Sequence, residues 1–296
     1  MKLGLALPQY GNLAEPGSVA RFASAAEELG FASLWVGDRV LTPKNPSDFY
    51  SGGTPDRPYP PEFTRFADPF LTLAAAAGAT TTARLGTSTL VAPVYSPVLL
   101  ARTLTTLDLA SDGRLDAGFG IGWMRDEYAA AGASWAGRGK QLDELLDVLG
   151  EFWSGAPAER TSARWRIPES TVDLRPVQRP GPPVLLGGSS ETALRRIGRR
   201  ADGWLPVWRP PGRLDASWAV VAAAAEEAGR DPGTLRRVLR LNPTPGTATG
   251  SVADAAARLA ETRDAGYEEA FVDLHYLARD VTHALDLAAE LHDLLK

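Results

Sequence analysis

Residues 28–38 (ELGFASLWVGD), 200–208 (RADGWLPVW) and 264–276 (DAGYEEAFVDLHY) repeat one unit: the end of a helical pattern, a glycine, then an apolar run of strand length. Glycine ends helices because it enters the left-handed conformation without a Cβ penalty, so Gly30, Gly203 and Gly266 are read as equivalent positions. The same alternation runs almost from end to end. Strands are expected at 3–7, 33–37, 84–93, 114–120, 183–188, 204–208, 236–243 and 270–275, with a helical pattern after each. Asp68-Pro69 and Ser96-Pro97 place a capping side chain before a proline at the first helical position. About eight strand–helix units predict an α/β fold, a single (β/α)8 TIM barrel over residues 1–296 with insertions at its C-terminal mouth. A doubly wound sheet alternates in the same way and is the alternative architecture.

Composition permits a sizeable core, with 44% hydrophobic and 23% charged residues. A net charge of -5 argues against nucleic acid or an anionic membrane as partner. The absence of cysteine excludes disulfides, thiolate metal sites and a cysteine nucleophile. The apolar start of the chain stops at Pro8, short of a signal peptide, and no run approaches the ~20 apolar residues of a membrane helix. A cytoplasmic protein is expected. Residues 38–66 are too long and proline-rich for an ordinary connection; they are expected to form a lid over the mouth, a mobile surface insertion being the plainer reading. Residues 156–183 form a second, polar insertion.

The segment GFGIGWMRDEY, residues 118–128, looks at first like a phosphate-binding loop. It is not a dinucleotide fingerprint: the third glycine is replaced by Trp123, and the segment follows the fourth expected strand, not the first. No Gly-Lys-Ser/Thr follows, which excludes a P-loop. His283 and His292 are nine apart on the last helix and make no metal pair, so no metal site is expected. RRIGRR at 195–200 is read as a solvated helix face.

The run RLGTSTLVAPVYSP with LDLASDGRLDAGFGIGWMRDEY, then RGKQLDELL, PVLLGGSSETALRRIGRRADGW and AGYEEAFVDL, resembles the bacterial luciferase-like superfamily, particularly its coenzyme F420-dependent oxidoreductases. The resemblance covers nearly the whole chain. It implies a deazaflavin ring lying across the barrel mouth, with FMN as the alternative cofactor. It also implies a non-prolyl cis peptide at Ser88-Thr89, behind the ring.

By the same resemblance Gly120 and Gly122 lie where backbone passes the cofactor, and Gly187, Gly188, Ser189 and Arg138 bind its phosphate. Exposed amides before a helix suit an anion on physical grounds as well. Asp38 and Arg39 end the second strand, where relatives often carry Asp-His. Arginine stays protonated at neutral pH and cannot shuttle a proton, though it can hold an anion. Trp123 stands where some relatives carry a glutamate acid, so it walls the substrate pocket or packs under the loop. Gln9 and Tyr10 are further pocket candidates, and His275 is a candidate for proton transfer or substrate contact. The expected function is hydride transfer between the deazaflavin C5 and a small organic substrate. The alternatives are an FMN-dependent monooxygenase served by a separate reductase, and a non-catalytic cofactor-binding relative. A homodimer through the second and third helices, as in relatives, is a further expectation.

Overall fold

The computed structural model describes all residues except 156, 157 and 163. Its strands are β1 (Lys2–Ala6), β2 (Ser33–Val36), β3 (Arg84–Thr87), β4 (Leu90–Val91), β5 (Leu115–Gly120), β6 (Ala158–Thr161), β7 (Arg166–Ser170), β8 (Val184–Gly187), β9 (Gly203–Leu205), β10 (Arg236–Leu241) and β11 (Glu269–Val272). The parallel order β3-β2-β1-β11-β10-β9-β8-β5 closes where β5 pairs back to β3. With β4 continuing β3, this is a closed eight-stranded barrel, and the doubly wound alternative is excluded. The β5 strand is buried along its whole length, as expected of a parallel strand covered on both faces.

The third stave is not the unbroken strand expected over 84–93. Leu85 pairs with Leu115, an offset of 30, whereas Leu90 pairs with Phe119, an offset of 29. One extra residue is therefore accommodated between β3 and β4, where the Ser88–Thr89 peptide is cis. A 3-10 turn over Ala92–Val94 replaces the strand's expected end.

The helices between strands are α1 (Val19–Glu28), α2 (Pro69–Ala77), α3 (Pro97–Ala110), α4 (Arg125–Ala130), α5 (Arg138–Ser154), α6 (Glu191–Arg200), α7 (Pro211–Glu227), α8 (Val252–Asp264) and α9 (Val281–Leu294). Asp68 caps α2 by accepting from the Leu71 amide at 2.9 Å, but Ser96 makes no side-chain cap on α3. Gly30 and Gly266 take positive φ, 97° and 84°; Gly203 does not, and instead opens β9, where a Cβ would sit 2.6 Å from the Arg236 carbonyl. The short α4 and the antiparallel β6–β7 hairpin of the second insertion were not anticipated. Among the described residues no helix is long and apolar enough to cross a membrane.

Below the core a charge cluster ties four strands together. Buried Asp116 of β5 accepts from Arg84 of β3 (2.9 and 2.5 Å) and from Arg236 of β10 (2.7 and 3.0 Å). Arg236 also donates twice to Glu269 of β11, at 2.8 and 2.7 Å. Burial alone would raise the Asp116 carboxyl; Arg84 and Arg236 outweigh it and hold it below its ordinary value. All four residues lie at the N-terminal ends of their strands, opposite the mouth.

Residues 38–66 lie against that mouth. Gln9 fixes both ends of the segment: it accepts from the Gly37 amide (2.7 Å) and donates to the carbonyls of Gly37 (3.0 Å) and Ala67 (2.9 Å). The near end docks on α4, where Val40 donates to Glu127 (2.8 Å), Ser47 to Asp126 (2.8 Å) and the Arg125 amide to Asp48 (2.9 Å).

Candidate active site

A cavity of about 210 Å³ opens at the C-terminal ends of β1, β2, β4, β5 and β10. Active sites of barrel enzymes occupy this face, where loops from different strands converge. Ser88 and Thr89, at the cis peptide, form part of its wall, with Gly122 and Trp123 following β5. Tyr10 comes from the loop after β1, and Tyr50, Phe63 and Phe66 come from the 38–66 segment. Tyr10 stacks on Phe66 at 5.0 Å on one side and on His275 at 3.7 Å on the other. Tyr50 meets Trp123 edge-on at 5.3 Å. The charged groups in this aromatic lining are Asp38, Arg39 and Arg240.

Each of the three is held differently. Asp38 Oδ2 accepts from the Val91 amide and the Tyr95 hydroxyl, both at 2.9 Å. Burial pushes the Asp38 carboxyl up, against these two bonds and the charge of Arg39. The Arg39 guanidinium lies over the rings of Trp123 (4.7 Å) and Phe63 (4.9 Å), a cation–π contact on both partners. Its charge is matched by Glu127 of α4 at 3.7 Å, with side-chain exposures of 6% and 0%. Burial raises the Glu127 carboxyl, and its Oε2 has no hydrogen-bond partner among the described residues.

Arg240 of β10 donates from Nε to Asn242 (2.8 Å), from Nη1 to the Ser88 carbonyl (2.8 Å) and from Nη2 to Asp273 (2.6 Å). Asp273 also accepts from the Tyr10 hydroxyl at 2.9 Å and pairs with His275 Nδ1. Burial opposes ionisation of Asp273, but His275, Arg240 and Tyr10 together hold its carboxyl well below the usual range. Burial, then Asp273, pushes the Tyr10 hydroxyl well above its ordinary value.

These contacts revise several expectations. His275 is 6% exposed and absent from the cavity lining; both ring nitrogens face Asp273 and the Tyr10 amide, so it is a satisfied internal histidine. Gln9 is spent on the ends of the 38–66 segment and does not line the cavity either. Gly120 was expected to make room for a cofactor, and Gly187 to bind its phosphate. A Cβ on Gly120 would instead lie 2.6 Å from Thr89 Oγ1, and one on Gly187 3.1 Å from Thr89 Cγ2. Gly122 does line the cavity, with φ +62°, and its Cβ would meet Val91 Cγ1 at 2.7 Å. The three glycines make room for the residues just beyond the cis peptide.

The proposed phosphate residues lie elsewhere on the rim. Gly188 and Ser189 border a separate cavity of about 140 Å³ with Arg209 and Ser217. Arg138 stacks on Trp135 at 3.8 Å. Arg196 and Arg200 of α6 pair with Asp143 and Asp147 of α5, one turn apart on each helix, so the two helices run parallel with their N-termini on the same side. Arg240, Asp273 and Glu127 were missed in the sequence. For Arg240 and Asp273 the available signal was a charged residue at the end of an apolar strand, as in RLN and VDL.

A family model for luciferase-like monooxygenases matches residues 4–289. An uncharacterized protein of Mycobacterium tuberculosis is 30% identical over 269 residues, covering 88% of each chain. The F420-dependent hydroxymycolic acid dehydrogenase of the same species is 29% identical over 218 residues, 72% of this chain and 55% of that protein. The oxygenase component of the flavin-dependent trigonelline monooxygenase of Acinetobacter baylyi is 36% identical over 124 residues, 41% of this chain and 34% of that one. Among solved structures, monooxygenase RslO1 from Streptomyces bottropensis aligns with a TM-score of 0.78 at 22% identity, covering 99% of this chain and 97% of that one. An F420-dependent secondary alcohol dehydrogenase, solved with an F420-acetone adduct, aligns with a TM-score of 0.78 at 16% identity, covering 100% and 99%. At these identities the two structures establish the fold alone.

Proposed function

The chain belongs to the luciferase-like monooxygenase family, and on that premise we propose that it is an F420-dependent oxidoreductase acting on a small organic substrate. The observation that carries the choice of cofactor is the extent of likeness to the F420-dependent dehydrogenase, 72% of the chain, against 41% for the flavin monooxygenase.

The lining fits a flat, partly polar ring. Its walls are aromatic, and its charged groups are two guanidiniums and one carboxylate. About 210 Å³ is below the roughly 300–1,000 Å³ of pockets for ligands of drug size. Tyr50 also lines a second cavity of about 560 Å³. Ser189, Arg138 and the parallel N-termini of α5 and α6 would hold the phosphate.

When bound, the deazaflavin supplies a carbon that accepts or gives up a hydride. Residues 38–66 act as a lid, with Tyr50, Phe63 and Phe66 excluding water and fixing the substrate against the ring. Arg39 stays charged and orients an anionic group. Asp38 is the carboxylate of the lining, and Oδ1, the oxygen without the two described bonds, holds or moves the proton that accompanies the hydride. A second reading, an FMN-dependent monooxygenase with a partner reductase, is favoured by the likeness to the trigonelline enzyme.

Anaerobic titration with F420 and with FMN, followed by absorbance and fluorescence, separates the two. Tighter binding of F420 supports the proposal. Tight FMN binding without F420 binding transfers the assignment to the monooxygenase reading, and binding of neither contradicts both.

A further inference from the structure

Arg240 is a cation built into the cavity wall. Three of its five N–H bonds go to three different parts of the chain: Asn242, the Ser88 carbonyl and Asp273. That anchoring fixes the plane of the guanidinium, while its side chain remains 22% exposed and borders the cavity. Burial alone would lower its pKa; Asp273, foremost among its neighbours, raises it instead, so the group stays charged. Arg39 is the other cation of the lining, and its Nε faces buried Glu127. The countercharge of Arg240 is also the acceptor of Tyr10 and His275, which divides the pull of Asp273 among three donors.

Resting on the reading of this cavity as the seat of a redox ring, we propose that Arg240 is the group that stabilises the negative charge left on that ring by hydride uptake. A hydride brings two electrons and one proton. The ring therefore gains one negative charge, while the substrate that gave the hydride releases its remaining proton to a base. A fixed guanidinium with two N–H bonds outside these contacts supplies charge and direction to that anion without reorganising. Arg240 would thus favour the reduced over the oxidised ring and set the direction in which the reaction runs most easily.

The test is the affinity of the full-length protein for oxidised and dithionite-reduced FMN and F420, measured anaerobically by absorbance and fluorescence. Arg240→Met should weaken binding of the reduced ring by about 10- to 100-fold while changing the oxidised ring far less, in keeping with the loss of a charged hydrogen bond. Arg240→Lys should retain part of the preference. Should Arg240→Met fail to fold with Asp273 left unpaired, the Arg240→Met/Asp273→Asn pair removes both charges together and should show the same selective loss.

Wild-type protein supplies an independent reading: bound reduced ring should stay deprotonated to lower pH than free ring. Equal weakening of both redox states, or an unchanged ring titration, overturns the proposal and leaves Arg240 a support for Ser88 and Asp273. Failure of wild-type protein to bind any ring overturns the functional reading and the proposal with it.

Discussion

Replacing Gly120 by alanine separates two explanations for the glycines of the fourth stave. Gly120 is buried in β5 and is not among the positive-φ glycines, so its backbone accepts a Cβ without conformational strain. The new methyl would lie 2.6 Å from Thr89 Oγ1 and 3.5 Å from Thr89 Cβ. The first distance is well inside contact; the second is ordinary packing. Overfilling of this kind costs about 1–3 kcal/mol. Thr89→Ala removes the colliding oxygen and leaves only the 3.5 Å contact. The double variant should therefore recover most of the loss, a coupling of about 0.5–3 kcal/mol. Urea unfolding of the four proteins without cofactor, followed by far-ultraviolet circular dichroism, gives the cycle directly. Additive losses would refute the argument. So would a Gly120→Ala protein with unchanged stability that had lost only its affinity for the ring, since the glycine would then be serving the ligand.

Asp116→Ala should destabilise the fold by about 3–5 kcal/mol, because it leaves Arg84 and Arg236 without their shared buried countercharge. A loss below about 1 kcal/mol in urea would contradict that reading. Glu27 accepts from the amides of Thr81, Thr82 and Ala83. Burial works against ionisation, but the bonds from Ala83, Thr82 and Thr81 hold its pKa at about 2, below the ordinary 4.5. The unfolded chain takes up this proton first. The stability advantage over Glu27→Gln should therefore be full above pH 4.5 and vanish as pH falls towards about 2. Urea midpoints of both proteins across that range check it, and a constant difference would contradict the assignment.

Alternation of period and glycine placement made the barrel legible, because strand and helix patterns are local. The break in the third stave was not readable from the residues alone: RLGTSTLVAP is an unbroken strand pattern, and only pairing against β5 shows the offset fall from 30 to 29. Gly120 was expected beside a cofactor and Gly187 beside its phosphate, but both stand close to Thr89. What approaches them, Thr89, is 31 and 98 residues away and is set by the closure of the barrel. Arg240 and Asp273 looked like isolated charges because their meeting depends on the register of β10 beside β11. His275 stood out as one of three histidines, yet its neighbours consume both nitrogens. Asp38, Trp123 and Tyr10 follow the ends of β2, β5 and β1, and a place just beyond a strand is enough to put a residue at a barrel mouth.

The Arg84–Asp116–Arg236–Glu269 cluster has a bearing on how such a chain can change over time. It clasps the barrel at the floor, through residues that share no bond with the cavity wall. Closure of the scaffold and the proposed choice of substrate thereby fall to opposite ends of the same staves. The long segment after β2 and the turn after β5 can be exchanged, lengthened or reshaped by drift while the floor keeps the cylinder shut. A chain organised in this way is free to try new chemistry without first risking its shape.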